Sequence, residues 1–214
     1  MRTRKLAILL SKLEKQNEVS LELEQYATDG DLAARWLADI ASFGDLGQGC
    51  IVTDLGAGNG ILGLGAIALG AAKAILVEAD SKACKIAKLN AKSMGVLESI
   101  ELIQAIIGTE LPEMGHTDLV ISNPPWGRQS PKADRPFFEA ILNLDSPSHL
   151  MHSAEATHIQ PFFERAGWGV EKYGEADFAL PAAYDHHSRA RGRTRASFWR
   201  LLPCLLYTSP SPRD

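Results

Sequence analysis

Cys50-Ile51-Val52-Thr53-Asp54-Leu55-Gly56-Ala57-Gly58-Asn59-Gly60-Ile61-Leu62 is the stretch from which the rest of the chain can be read. Its opening is short, apolar and bounded by glycine, which predicts a buried strand over Cys50 to Asp54. Three glycines at alternate positions follow, then a small-residue segment, Ile61 to Gly70, long enough for a helix. Strand, glycine loop and helix form the entry to a doubly wound sheet. Glycine lets backbone approach a ligand closely, and the loop lies beyond the carboxyl end of a strand, where open α/β sheets bind ligands.

Working outward, strands and helices alternate. Ala74–Glu78 reads as a second strand and Ser81–Met94 as a helix, with Ser81 as cap and Gly95 as stop. Strands are predicted at Ser99–Ile103, Thr117–Ser122 and His149–Ser153, and helices around Phe137–Leu142 and over Thr157–Ala166. Two closing strands, Trp168–Phe178 and Ala196–Leu202, follow without a helix between them. Upstream, Leu6, Leu9, Leu10 and Leu13 give a helical spacing over residues 2–16. A second helix runs from Asp29 to about Phe43, with Asp29 or Asp31 at its start. The pattern predicts an α/β, Rossmann-like fold: a mostly parallel seven-stranded sheet, helices on both faces and an antiparallel edge hairpin. Residues 1–203 are expected to form a single domain, with residues 1–45 as N-terminal helices over the ligand site. The end, Cys204-Leu205-Leu206-Tyr207-Thr208-Ser209-Pro210-Ser211-Pro212-Arg213-Asp214, resembles translated adapter read-through and is expected to be non-native.

Composition narrows the classes. The 214 residues are 45% hydrophobic and 22% charged, as in ordinary globular proteins. No apolar run is long enough to span a bilayer, and no signal-peptide core follows the basic start, so a cytoplasmic location without membrane association is expected. Cys50, Cys84 and Cys204 have neither zinc-site nor disulfide spacing, and no metal is expected. The net charge of −4 excludes a polycation, so any nucleic-acid surface must be local. His186-His187-Ser188-Arg189-Ala190-Arg191-Gly192-Arg193-Thr194-Arg195 is dense enough in cations to neutralise phosphates; on charge alone a solvated basic loop explains it equally well.

The loop admits two ligand classes. Gly58-Asn59-Gly60-Ile61-Leu62-Gly63 satisfies the dinucleotide pattern of nicotinamide and flavin enzymes. Yet Asp54, beside Gly56, Gly58 and Gly60, would repel a pyrophosphate, whereas it can attract the sulfonium and amino group of S-adenosylmethionine. Glu78 ends the second strand 22 residues after Gly56, placed to accept ribose hydroxyls, with Asp80 two residues on. Asn123-Pro124-Pro125-Trp126, at the end of the fourth strand, favours the second class. An exocyclic amine on adenine is a poor nucleophile because its lone pair is delocalised. The Asn123 side-chain carbonyl and the Pro124 main-chain carbonyl can each accept one N–H, holding the amine in line for attack. Proline presents its carbonyl rigidly, and Trp126 offers a face for a flipped base. The alternative is a Pro-Pro turn capped by a core tryptophan.

With these motifs in place the chain resembles the METTL5-type family of RNA adenine-N6 methyltransferases, class I enzymes that use S-adenosylmethionine. Leu23-Glu24-Gln25-Tyr26-Ala27-Thr28 resembles the family's signature upstream of the glycine loop. The resemblance implies that Gln25, Tyr26 and Thr28 contact the cofactor. Asp134 and Phe137-Phe138 follow Asn123-Pro124-Pro125-Trp126-Gly127 at family-like spacing. Leu180-Pro181-Ala182-Ala183-Tyr184 with His186 and His187 resembles the segment before the last strand. The family has Phe at Trp126, and an adenine-site Asp where this chain has Ile106; the cofactor's adenine would then be held by backbone and apolar contacts, or bound with reduced affinity. The resemblance implies ribosomal RNA as substrate. The expected RNA contacts are the cations of the basic segment, His186, His187, Arg189, Arg191, Arg193 and Arg195, together with Arg128 and Lys132. The resemblance also implies a small zinc-binding activator protein as partner. The competing readings are a protein glutamine or guanine N2 as acceptor, a binding-only relative, and a nicotinamide-dependent oxidoreductase.

Overall fold

In the computed structural model, residues 1–16, 28–110, 113–127, 130–179 and 193–203 are described. The strands are β1 (Ile51–Leu55), β2 (Lys73–Glu78), β3 (Ile100–Gln104), β4 (Leu119–Ser122), β5 (Ser148–Ser153), β6 (Gly169–Ala179) and β7 (Arg193–Leu202). The helices are α1 (Thr3–Leu10), α2 (Gly30–Ser42), α3 (Ile61–Leu69), α4 (Ser81–Ser93), α5 (Arg135–Leu144) and α6 (Ile159–Arg165). The strands form one seven-stranded sheet in the order β3-β2-β1-β4-β5-β7-β6. Neighbours from β3 to β5 pair in parallel, and β7 pairs antiparallel to both β5 and β6. β7 is therefore inserted between β5 and β6, and β6 forms the edge.

Both faces are covered, as the near-continuous apolar strands require. Leu6, Leu10, Trp36, Leu37 and Leu64 of α1, α2 and α3 pack on one face. Phe138, Ile141 and Phe163 of α5 and α6 pack with Trp168 and Trp199 on the other. Behind β5, Arg200 donates to both carboxylate oxygens of Asp45, at 2.7 and 2.9 Å, and His149 Nε2 lies 2.9 Å from the same group. This ties the segment after α2 to the last strand. Among the described residues no helix is long and apolar enough to cross a membrane.

Most boundaries shift by one or two residues from the sequence reading, and three differences trace to particular contacts. α1 stops at Leu10 rather than running to residue 16. A Cβ on Gly30 would come within 2.5 Å of Ser11 N, so the two backbones touch there. The chain beyond turns onto α4 instead, where Asn90 Oδ1 accepts from Glu14 N at 2.8 Å. The cap of α4 is Asp80, not Ser81: Asp80 Oδ1 accepts from Lys82 N at 2.8 Å. Finally, β7 begins at Arg193 rather than Ala196, because Arg193 and Arg195 continue the ladder opposite Ala179 and Asp177.

Candidate active site at the carboxyl ends of the sheet

β1 sits between β2 and β4, so the ends of these three strands lie side by side. Leu55, immediately before the glycine loop, pairs with Ser122, immediately before Asn123. Ser122 Oγ donates to the Leu55 carbonyl at 2.9 Å, a buried bond that locks the two motifs together. Gly56, Gly58 and Gly60 have φ of +76°, +54° and +82°, the left-handed region that L side chains rarely adopt. The amides of Gly56 and Ala57 both donate to the Val77 carbonyl at 2.9 Å, which pins the loop over β2.

Two buried acids face this loop. Asp54 Oδ2 accepts from Gly63 N at 2.9 Å, and a side chain at position 63 would collide with Leu76. Asp54 Oδ1 is buried with no hydrogen-bond partner. Burial, outweighing the Gly63 amide and reinforced by the nearby Glu78, pushes the Asp54 carboxyl up to about 7. Glu78 Oε2 accepts from Gly58 N at 2.8 Å, and Oε1 from Asp80 N at 2.9 Å. Burial also raises Glu78, against the pull of those amides. A desolvated acid with an orphaned oxygen is stabilised by a cation or a strong donor. This pair therefore fits a ligand that brings an ammonium and hydroxyls rather than a pyrophosphate. Asp80 accepts from Lys82 N and from Gln16 Nε2, the latter at 2.8 Å. Gln16 and Glu14, whose carbonyl accepts from Asn59 Nδ2 at 2.8 Å, draw the N-terminal segment across the loop.

Asn123 is half-buried and held at both ends of its amide. Nδ2 donates to Thr28 Oγ1 at 3.2 Å, and Oδ1 accepts from Trp126 Nε1 at 3.2 Å. An amide oxygen has two lone pairs, so one stays available beside the bond from Trp126. Pro124 is buried and Pro125 half-buried. Trp126 is also buried, and its indole lies nearly parallel to the His152 ring, at 22° with centroids 6.0 Å apart. Phe137 packs on the glycine loop, its ring 3.0 Å from where a Gly56 Cβ would sit.

Ile106, just beyond β3, is 51% exposed, and its amide donates to Glu110 Oε2 at 3.2 Å. Lys132 is exposed. Arg195 is exposed on β7 and pairs with Glu175 at 2.7 Å, and Arg193 belongs to the same strand rather than to a basic loop. Gln25, Tyr26, Arg128, His186, His187, Arg189, Arg191 and residues 204–214 lie outside the described residues.

Sequence reasoning singled out Asp134 but not the two histidines that join it behind Trp126, His152 and His158. Asp134 Oδ2 accepts from His152 Nε2 at 3.0 Å and is also bonded by His158 Nε2. The three residues come from the start of α5, from β5 and from the approach to α6, and no spacing along the chain connects them. Burial alone would raise the Asp134 carboxyl, but the two imidazoles hold it below the usual range.

Residues 31–124 match the family model of ribosomal protein L11 methyltransferase (PrmA), from α2 through the first half of the Asn-Pro-Pro-Trp motif. An uncharacterized protein of Methanocaldococcus jannaschii is 32% identical over 196 residues, covering 86% of each chain. The rRNA N(6)-adenosine-methyltransferase METTL5 of Danio rerio is 28% identical over 211 residues, covering 95% of this chain and all of its own. Among solved structures, one from Pyrococcus horikoshii described as a candidate RNA methyltransferase superposes with a TM-score of 0.85 at 30% identity. That match covers 96% of this chain and 99% of the other.

Proposed function

The chain belongs to the METTL5-type family of class I methyltransferases, and from that premise we propose that it methylates the N6 amine of an adenine in ribosomal RNA, with S-adenosylmethionine as donor. The observation that carries the reading is the Ser122–Leu55 bond, which fixes Asn123-Pro124-Pro125-Trp126 directly beside the glycine loop. Bound S-adenosylmethionine supplies an electrophilic methyl group on a sulfonium. The rest falls to this chain's residues. Asp54 offers negative charge toward the donor's cationic end, and Glu78 accepts from its ribose. The second lone pair of Asn123 Oδ1 and the Pro124 carbonyl accept the two N–H groups of the target amine. This holds the amine in line and favours localisation of its lone pair.

RNA as acceptor draws support from the surface. Lys82, Lys85, Lys88 and Lys92 are all exposed on α4, which has no acidic residue between Ser81 and Ser93. Exposed Lys12 and Lys15 flank Glu14, which is bonded to Asn90 of the same helix. In a chain of net charge −4, such a face is a local phosphate-binding surface. A cytoplasmic location, a single domain over residues 1–203 and a small zinc-binding activator are parts of the same proposal.

A protein acceptor is the second reading, favoured by the match to the ribosomal protein L11 methyltransferase model. That match covers the cofactor half of the chain and ends inside the Asn-Pro-Pro-Trp motif, so it bears on the donor more than on the acceptor. Labelled S-adenosylmethionine incubated with unmodified rRNA and, separately, with ribosomal protein distinguishes the two. The proposal requires N6-methyladenosine among the nucleosides of the RNA; label confined to protein overturns it.

A further inference from the structure

Asp134, His152 and His158 place three potential metal-ligating atoms within 4.8 Å of one another, with Asp134 and His152 buried and His158 exposed. The hydrogen bonds decide what the cluster does. His152 Nδ1 accepts from the amide of Ser153 at 2.9 Å, so that nitrogen carries no proton. In the neutral ring the proton then sits on Nε2, the atom that faces Asp134. A protonated ring nitrogen donates to a carboxylate and cannot ligate a metal. Metal-bound histidines have the opposite arrangement, with the second nitrogen donating outward. The cluster is built as a hydrogen-bonded support.

What it supports is the indole of Trp126. His152 is 1% exposed and fixed on both nitrogens, so its ring plane is set by the backbone on one side and Asp134 on the other. Trp126 lies against that ring, and the Trp126 Nε1–H reaches Asn123 Oδ1. Asn123 thus has a continuous buttress: Asp134 orients His152, His152 backs Trp126, and Trp126 aims the amide. Phe138 closes the cluster from α5, with its ring 6.2 Å from His152 and 5.8 Å from His158.

We propose that His152 is a positioning residue for methyl transfer, held by Asp134 and acting through Trp126 on the amide of Asn123. The proposal rests on the assignment of Asn123 to the target amine, but part of its test does not depend on activity. The chain has four tryptophans, hence four indole N–H signals in a nitrogen-edited NMR spectrum, and Trp126→Phe identifies the one that belongs to Trp126.

In His152→Ala that one signal should shift and exchange faster with solvent, while the other three hold. The turnover rate should fall, by up to about a hundredfold as for a displaced catalytic group, with KM for S-adenosylmethionine within about twofold of wild type. His152→Phe, which keeps a ring beneath the indole, should recover the signal and most of the turnover. An unmoved Trp126 signal in His152→Ala overturns the proposal. So does a collapse of all four signals together with melting temperature, which marks a purely structural histidine. One equivalent of zinc retained by the dialysed wild type and lost in His152→Ala would make the cluster a metal site and also overturn it. If the wild type methylates no RNA, the functional reading has failed, and the indole spectra still decide the buttress.

Discussion

Thr28 and Asn123 are joined side chain to side chain across 95 residues of sequence, the asparagine Nδ2 donating to the threonine hydroxyl at 3.2 Å. The bond links the segment upstream of α2 to the turn after β4. With the Trp126 bond on Oδ1, it leaves the Asn123 amide little freedom to rotate. An amide held this way needs no reorganisation when the substrate arrives, which is the condition under which electrostatic contacts lower a barrier most.

Asn123→Ala should therefore act on turnover. Losing one preorganised electrostatic partner costs about 2.7–4 kcal/mol, roughly a hundred- to thousandfold in rate. Thr28→Val, which leaves Asn123 in place but releases Nδ2, should lower the rate by less. Single-turnover methylation, melting temperature and cofactor affinity measured on the same preparations check this. A folded Asn123→Ala protein methylating within a few-fold of wild type would remove Asn123 from the mechanism.

Glu78→Ala should weaken S-adenosylmethionine binding by about 1–3 kcal/mol, the range for removing a charge-assisted hydrogen bond. The same carboxylate also holds the Gly58 and Asp80 amides. Glu78→Gln keeps one acceptor oxygen and should fall between wild type and Glu78→Ala in calorimetry. Equal affinities for all three proteins would make Glu78 a loop-shaping residue only.

Asp54 should impose a pH dependence. Its carboxyl titrates at about 7 in the folded protein against 3.8 in the unfolded chain. Below 3.8 both states are protonated. Between 3.8 and about 7 the unfolded chain gives up this proton while the folded chain keeps it. The contribution to stability therefore falls as pH rises across that window and levels off above it. Asp54→Asn should flatten that slope in denaturant melts. A cationic ligand favours ionised Asp54, so S-adenosylmethionine should bind more tightly as pH rises toward about 7, releasing a proton below it. Calorimetry in buffers of different ionisation enthalpy reads the proton directly; no release in the wild type contradicts the assignment.

Lys85→Gln, Lys88→Gln and Lys92→Gln combined should weaken RNA binding and flatten its salt dependence. For single-stranded RNA the slope of log affinity against log salt changes by about 0.7 for each phosphate that the protein no longer neutralises. Cofactor affinity should not move. A slope identical to wild type would show that α4 carries only solvated lysines.

Asp45→Asn tests the fold rather than the site. Burial alone would raise this carboxyl, but the His149 and Arg200 bonds outweigh it and lower it to about 2. Its contribution is thus present above 3.8 and lost as pH falls toward about 2. The amide that replaces it keeps one neutral acceptor oxygen for Arg200 and buried His149, at a cost of about 1–3 kcal/mol. Chemical denaturation at neutral pH should show the loss, and the difference between the two proteins should shrink in acid.

The sequence by itself determined what contiguous residues can encode. The alternation of strands and helices, the glycine loop after β1, Glu78 at the end of β2 and the Asn-Pro-Pro-Trp turn after β4 each lie within a few residues, where period and backbone preference decide the outcome. The tertiary structure decided what depends on distant partners. Ser11, at the end of α1, packs against Gly30 at the start of α2, and Asp80 caps α4 while also holding Gln16. β7 enters the sheet between β5 and β6, a choice among edges that a strand pattern leaves open. His152 and His158 converge from β5 and the approach to α6 on one carboxylate oxygen of Asp134, at the start of α5. A buried polar group must find its partner wherever the fold brings one, and only packing determines where that is.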